Sequence, residues 1–379
     1  MSMTVYCHET RDVCEGLPEL LHRFPVRALL AARREDRVVV AARHGEPREL
    51  RLLNSLGFGP DPDHVIYTDD KGRVLAGHMP VAKTPVAPFS GTTSLGRLFA
   101  ARNGLPFRAP ARSACIEANS KGLFQEIANL LRESGAVKSP DGEAAHGEER
   151  EAVIGKLLTR YGQVIVKGTQ SSSGLQQKII RSGESIDLLG LPETVVVQEW
   201  VEGKSSPSVN LEIGANGEVK YLFETEQILE GTHHVGNRLV TGTRHRNSSL
   251  IRRAAVTIGR EYWRRGYYGP CGIDFLDDYA IEVNARVTAP WYPWQGSQNL
   301  CGRPLPFCMR SARIRPDATV DDLMGVLGGR LFDRATLSGA VPFCFLPEYS
   351  FLYVVTYSED EARLSTLYEE VSRALSELR

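Results

Sequence analysis

Apolar positions fall in short dense runs over the first hundred residues and then change to a mixture of helical and strand spacing. Arg37–Ala42 (RVVVAA) and His64–Thr68 (HVIYT) have the unbroken apolar character of strands covered on both faces, and Ala28–Arg34 is helix-like. This alternation predicts an α/β region built on a parallel, Rossmann-like sheet. Farther on, Lys121–Ser134 (KGLFQEIANLLRES) puts Leu123, Ile127, Leu130 and Leu131 at helical spacing, with Gly135 as a stop signal. Pro140–Arg150 is polar and acidic and reads as a loop or helix start. Val164–Val166 is a β-branched strand ending at Lys167, Gln177–Ile180 returns, and Thr194–Gln198 (TVVVQ) runs into Glu199-Trp200-Val201-Glu202-Gly203. Ser208–Ile213 and Glu218–Phe223 flank Asn216-Gly217, a strong hairpin signal. After a helix at Arg252–Trp263, Cys271–Leu276 and Tyr279–Asn284 form a second hairpin around Asp277-Asp278. Glu359–Leu378 aligns Leu364, Leu367, Val371, Ala374 and Leu378 on one helical face, which predicts a last helix docked on the Phe351–Val355 strand.

Composition narrows the functional classes. The 379 residues carry 45 Lys+Arg against 46 Asp+Glu, 42% hydrophobic and 24% charged residues, an ordinary globular balance with room for two or three domains. A net charge of −1 gives no electrostatic footprint for duplex nucleic acid. No stretch approaches the ~20 apolar residues that span a bilayer. Cys7, His8 and Glu9 sit where a signal peptide needs an apolar core, so a cytoplasmic location is expected. The 7 Cys lack C-x-x-C spacing and read as reduced thiols, and His233-His234 lacks the partners of a zinc site. Gly57-Phe-Gly59 has no third glycine at dinucleotide spacing and reads as a turn.

The second hairpin carries the strongest chemical signal. Alternation puts Glu282, Asn284 and Arg286 on one face. Asp274 depends on the turn: a two-residue loop at Asp277-Asp278 pairs it with Ile281, whereas a three-residue loop pairs it with Glu282. In the second register two carboxylates and an amide oxygen converge, a hard-oxygen site for Mg²⁺ on nucleotide phosphates. In the first, the acids simply face water, as Asp277 and Asp278 are expected to do. Lys167 is either a solvated strand end or a phosphate contact beside the glycine-bounded loop Gly168-Thr-Gln-Ser-Ser-Ser-Gly174, whose backbone N–H groups suit phosphate. There is no P-loop motif.

In this order, a helix-borne lysine, a strand lysine with a small-residue loop, a strand ending in Gln-Glu-Trp-Val and a G-x-D-F…E-V-N-x-R hairpin, the chain resembles the ATP-grasp superfamily of carboxylate–amine ligases over about residues 114–310. Within it the chain is most similar to the pheganomycin-type peptide ligases. The resemblance implies an α/β (α+β) ATP-grasp fold: a Rossmann-like pre-ATP-grasp domain at 1–115, an N-terminal ATP-grasp subdomain with a lid loop at 116–200, a C-terminal subdomain with the Mg/ATP site at 201–330, and a small extension at 331–379. It implies ATP and Mg²⁺ as cofactors. Lys121 and Lys167 would contact the α- and β-phosphates, and Gly168, Ser171, Ser172, Ser173 and Gly174 would fold over them. Gln198, Glu199, Trp200 and Val201 would be the adenine hinge. Asp274, Glu282 and Asn284 would hold Mg²⁺, and Arg286 would steady the transferring phosphate or the oxyanion. Asn210 stands where many members place an acid for the ribose, and Trp200 is bulky enough to be core.

The implied reaction is amide formation between an amino-acid or small-peptide carboxylate and an amine through an acyl phosphate, in the manner of natural product biosynthesis, with release of ADP and phosphate. An ATP-grasp phosphotransferase and a non-catalytic nucleotide-binding regulator are the alternatives. Partners would be small amino-acid or peptide substrates, without nucleic acid or membrane, and a homodimer stays open. On the acceptor side Gln227, Thr232–Asn237, Arg244-His-Arg246 and Pro290–Gly296 are candidates. There the aromatic segment is pocket wall or core, Arg303 grips a carboxylate or forms a surface ion pair, and His233 or His234 acts as a base or merely lines the loop.

Overall fold

The computed structural model describes residues 3–10, 23–169, 176–231, 233–239 and 248–379. The first of its three sheets has the spatial order Val74–Ala76, Val65–Thr68, Arg37–Ala41, Val5–Cys7, Val86–Pro88, and all neighbours are parallel except Val74–Ala76. Val38, Val39, Val40, Val65 and Ile66 are buried, the burial that an unbroken apolar run requires. The Rossmann-like reading of the first third therefore holds. The chain moves outward from Val5–Cys7 on one side, and Val86–Pro88 returns to its other flank. Strand order thus reverses between these two, and a crevice opens beyond their carboxyl ends at Thr10 and Phe89.

A four-stranded antiparallel sheet follows, ordered Gly142–His146, Thr194–Glu199, Gln163–Gly168, Gln177–Arg181, with helix Glu149–Tyr161 packing Ile154, Leu157 and Leu158 onto it. The segment expected to be a loop or helix start is here an edge strand, paired from Gly142↔Gln198 to His146↔Thr194. Its residues (GEAAH) carry no strand propensity of their own; the neighbouring TVVVQE strand imposes the conformation.

The largest sheet has eight strands, in the order Tyr279–Asn284, Gly269–Leu276, Pro207–Ile213, Val219–Glu230, His233–Leu239, Phe307–Ala312, Phe351–Tyr357, Gly339–Leu346. Helices Lys121–Glu133 and Ser248–Arg264 cover one face, joining Phe124, Ile127, Ile258 and Tyr262 to Val209, Ile273 and Phe275 in one core. Apolar residues on that face leave Asp274, Ser208 and Glu282 to line a cleft on the other. Helix Glu361–Leu375 buries Leu364, Leu367, Val371 and Ala374 against the last strands, as its spacing predicts. Leu29, Leu30, Val40 and Phe58 share a core with Phe307, Phe343 and Val355, so the first sheet and the last strands pack as one body. Among the described residues no helix is long and apolar enough to cross a membrane.

A buried carboxylate sits in that join. Glu49 Oε1 accepts the Phe345 N–H at 3.2 Å, and burial pushes the carboxyl up to about 7 against the pull of that N–H and of Arg23. Between its ordinary 4.5 and about 7 the folded chain keeps a proton that the unfolded chain releases. This contribution is therefore complete below 4.5 and is lost as pH rises through about 7. Glu49→Gln is expected to flatten the fall in melting temperature across that window. It should exceed wild type above it by on the order of 2 kcal/mol, read by thermal unfolding at a series of pH values.

Candidate active site

The site begins with the hairpin Gly269–Leu276/Tyr279–Asn284. Leu276 pairs with Tyr279, so the loop is the two-residue one, Asp277-Asp278, with Asp277 at φ 51°. Yet Asp274 pairs with Glu282, because a bulge follows Phe275↔Ala280 and absorbs Ile281 as an extra residue. Phe275 and Ala280 stay in the core while both acids face the cleft. The turn acids do more than face water. Asp277 accepts the Lys204 N–H (3.2 Å) and the Ser205 N–H and hydroxyl (3.0 and 2.9 Å), and Asp278 pairs with Lys138 Nζ at 2.8 Å.

Two lysines meet these acids. Ser120 caps helix Lys121–Glu133 by accepting the Gly122 N–H, and the Lys121 N–H reaches Thr169 O at 3.0 Å, tying the helix start to the end of strand Gln163–Gly168. Lys121 Nζ lies 2.8 Å from Glu282 Oε1. Lys167, on the neighbouring strand, is 8% exposed and lines the same cleft. Burial pushes its ammonium down to about 8, with Glu282 pulling the other way and Lys121 adding to the fall. Burial works to raise the Glu282 carboxyl, but Lys121, Lys167 and Arg286 outweigh it and hold Glu282 below its usual range. Asp274 is raised, by burial and then by Glu282 itself. Three cations thus act on Glu282, and Asp274 is the carboxyl that stays raised.

That arrangement suits a divalent cation. Asn284 donates from Nδ2 to Asp274 Oδ2 at 3.0 Å, which places a third hard-oxygen residue against the pair. No group of three or more His, Cys, Asp or Glu gathers among the described residues, so two carboxylates and an amide are the donor set on offer. Mg²⁺ characteristically takes one or two carboxylates and completes its shell with phosphate oxygens and water, so the set fits that ion.

Arg286 reaches the cleft by a turn, since the strand ends at Asn284 and the Arg286 N–H donates to Asn284 O at 2.8 Å. Its Nη1 donates to Asn119 Oδ1 (3.1 Å), and Asn119 Nδ2 in turn donates to Cys115 O and Ala285 O. Nothing in the sequence singles out Asn119, a turn residue between two helices that holds a side chain 167 positions away.

Gln198, Glu199, Trp200 and Val201 all line the cleft. The N–H groups of Glu199 and Trp200 are committed to Asp141 O and Gln163 O, and Gln198 Nε2 donates to Gln125 Oε1 at 2.5 Å. Gly168 ends its strand with its N–H given to Gln176 O. Ser171, Ser172, Ser173 and Gly174, together with Arg244-His-Arg246, lie outside the described residues. Asn210 accepts the Thr288 hydroxyl at 2.5 Å and braces the segment after Asn284. Trp294 stacks on Phe223 at 4.8 Å and Tyr292 is fully buried, so the aromatic segment is mainly core, with Pro290 at the cleft wall. Arg303 forms a surface ion pair with Glu359. His234 Nε2 lies 2.7 Å from Asn237 Oδ1, at the cleft wall. The cleft holds about 610 Å³ and draws walls from all three sheets.

The ATP-grasp domain family matches residues 126–290, which include Lys167 and the whole Asp274–Arg286 hairpin but leave Lys121 just outside. No curated protein matches the sequence. Among solved structures, carboxyaminoimidazole ribonucleotide synthase from Aspergillus clavatus with ATP is similar at 14% identity and a TM-score of 0.59, over 100% of this chain and 99% of that one. The enzyme from the same organism with ADP and 5-aminoimidazole ribonucleotide gives 12% and 0.60 over 99% of each chain. N5-carboxyaminoimidazole synthetase from Staphylococcus aureus with ADP gives 11% and 0.57 over 98% of this chain and 96% of that one. At such identities the likeness is one of fold, and it runs the length of the chain. The chain has the ATP-grasp fold, and the domain family of that name matches it over residues 126–290.

Proposed function

We propose that this chain is an ATP-dependent ligase that activates a carboxylate, of an amino acid or small peptide, as an acyl phosphate and passes it to an amine, releasing ADP and phosphate. The observation that carries this reading is the lining of one cleft by Lys167, Asp274, Glu282 and Arg286, with Lys121 ion-paired to Glu282 at its edge. The solved neighbours hold ATP or ADP, and one of them holds an amine beside the ADP.

A carboxylate is a poor electrophile, and its activation by phosphoryl transfer asks mainly for positioning and charge neutralisation. The two ammonium groups supply this: each close contact with a phosphate near a surface is worth about 4 kcal/mol at an effective dielectric near 20, before desolvation. The Gln198–Val201 rim is where the base would rest. Asp274, Glu282 and Asn284 would hold Mg²⁺, which when bound offsets phosphate charge. Lys121, held 2.8 Å from Glu282 Oε1, and Lys167 would turn their charge to phosphate oxygens of a bound triphosphate. Arg286, its angle set by Asn119, faces the oxyanion that develops when the amine attacks the acyl carbon.

Incubation with ATP, Mg²⁺ and pooled amino acids, with hydroxylamine as a trap, tests the reading. ADP together with a hydroxamate is the expected outcome. AMP with pyrophosphate contradicts it, a stable phosphorylated product assigns a phosphotransferase instead, and absence of any nucleotide turnover assigns a regulator.

A further inference from the structure

We propose that His234 is the general base that takes a proton from the incoming amine, and that Asn237 is the positioning residue that holds its ring for this. The inference rests on the ligase reading above and names the group by which the same cleft makes the amine nucleophilic.

An irregularity in strand His233–Leu239 brings these two side chains together. Three positions apart, they would ordinarily fall on opposite faces. Leu229 pairs with His234 and Ile228 with Gly236, however, so Val235 is an extra residue in the ladder. Asn237 pairs with Gln227. Gln227 and Leu229 both line the cleft, and the bulge therefore delivers both His234 and Asn237 to that side. Gly236 permits the close seating this requires, since a Cβ there would collide with Met309 O. His233 alternates to the other side and is exposed.

The hydrogen bonds then fix which ring nitrogen carries the proton. Asn237 is 1% exposed, and its Nδ2 donates to Thr225 Oγ1 at 3.0 Å. Its Oδ1 is thus the acceptor that lies 2.7 Å from His234 Nε2. Nε2 accordingly holds the proton and Nδ1 keeps a lone pair. Among the described residues Nδ1 makes no hydrogen bond. An imidazole whose N–H is anchored by a buried amide, and whose second nitrogen is unoccupied at a cleft wall, suits proton acceptance.

Its place relative to the reacting centre fits that role. Strand order puts His234 on one side of the Asp274 strand and Arg286, just beyond Tyr279–Asn284, on the other. Both act on the buried Asp274 carboxyl, and each draws it down. An acyl phosphate formed over Asp274 and Glu282 thus has a donor for its oxyanion on one flank and a proton acceptor on the other.

Most amines are ammonium ions near neutral pH and have no lone pair with which to attack. Nδ1 takes one N–H proton, and the freed pair forms the C–N bond to the acyl carbon. The C–O bond to phosphate then breaks, its electron pair leaves on phosphate, and phosphate takes the second nitrogen proton. The imidazolium returns its own proton to solvent.

The test sets amines that arrive charged against one that does not. Pooled amino acids supply the first class, whereas hydroxylamine is uncharged at pH 7 and attacks without a base. His234→Gln keeps an N–H that can reach Asn237. In that variant amide formation is expected to fall about 10²- to 10⁴-fold in kcat, with hydroxamate formation and KM for ATP as in wild type. Asn237→Leu is expected to show the same split at about 10-fold, the worth of one hydrogen bond to the ring. Unchanged amide formation in His234→Gln, or an equal loss with both nucleophiles in His234→Gln and His234→Asn, overturns the inference. If wild type yields hydroxamate and His234→Gln keeps its amide rate, this inference alone fails. If wild type yields neither ADP nor hydroxamate, the ligase reading fails and takes this one with it.

Discussion

Replacing Glu282 by Gln is expected to lower ATP turnover by about 10³-fold or more while the chain stays folded. The substitution keeps the shape and removes one charge from a cluster in which Lys121 lies 2.8 Å from that carboxylate and Lys167 draws on it through the buried interior. Two effects compound. A hard oxygen is lost from the Asp274–Glu282 pair, and Lys121 and Lys167 lose the carboxylate that both act on. Since the side chain points away from the core, melting should move little. ADP release and a thermal melt measured together decide the matter, and near-wild-type turnover contradicts the assignment.

Lys167→Ala carries the second large effect: kcat/KM for ATP is expected to fall by about 10²- to 10³-fold. Wild type should also show a pH signature that the variant lacks. The ammonium is pushed down to about 8, so it is charged below that pH and loses its proton above it, and kcat/KM for ATP should decline as pH rises past about 8. For stability the same shift has the opposite sign. Between about 8 and the ordinary 10.5 the unfolded chain holds a proton that the folded chain has released, so the fold gains stability with rising pH across that window. An alkaline decline of equal size in wild type and variant would remove Lys167 from the phosphate site.

Much of the fold is legible because burial writes itself into local spacing. The Arg37–Ala41 run and helix Lys121–Glu133 emerge within a residue or two of the expected ends, since each displays its own apolar face. Gly142–His146 does not, because a small, polar edge strand borrows its conformation from Thr194–Glu199. Asp274, Glu282 and Asn284 stand out as acids and an amide between apolar neighbours, but the register that unites them was open to two readings. The actual one takes the loop of the first and the pairing of the second. Asn119 left no local trace, because it matters through a contact with Arg286, 167 positions away.

The bulge at Ile281 has a consequence for anyone comparing such chains by strand periodicity. It works as a phase shifter: counted outward from the turn, inside and outside trade places at one step, and every later position is displaced by one. A comparison that keeps strict two-residue rhythm through this hairpin will match chemistry to packing and packing to chemistry, whereas one that lets the beat slip there will find the acids aligned.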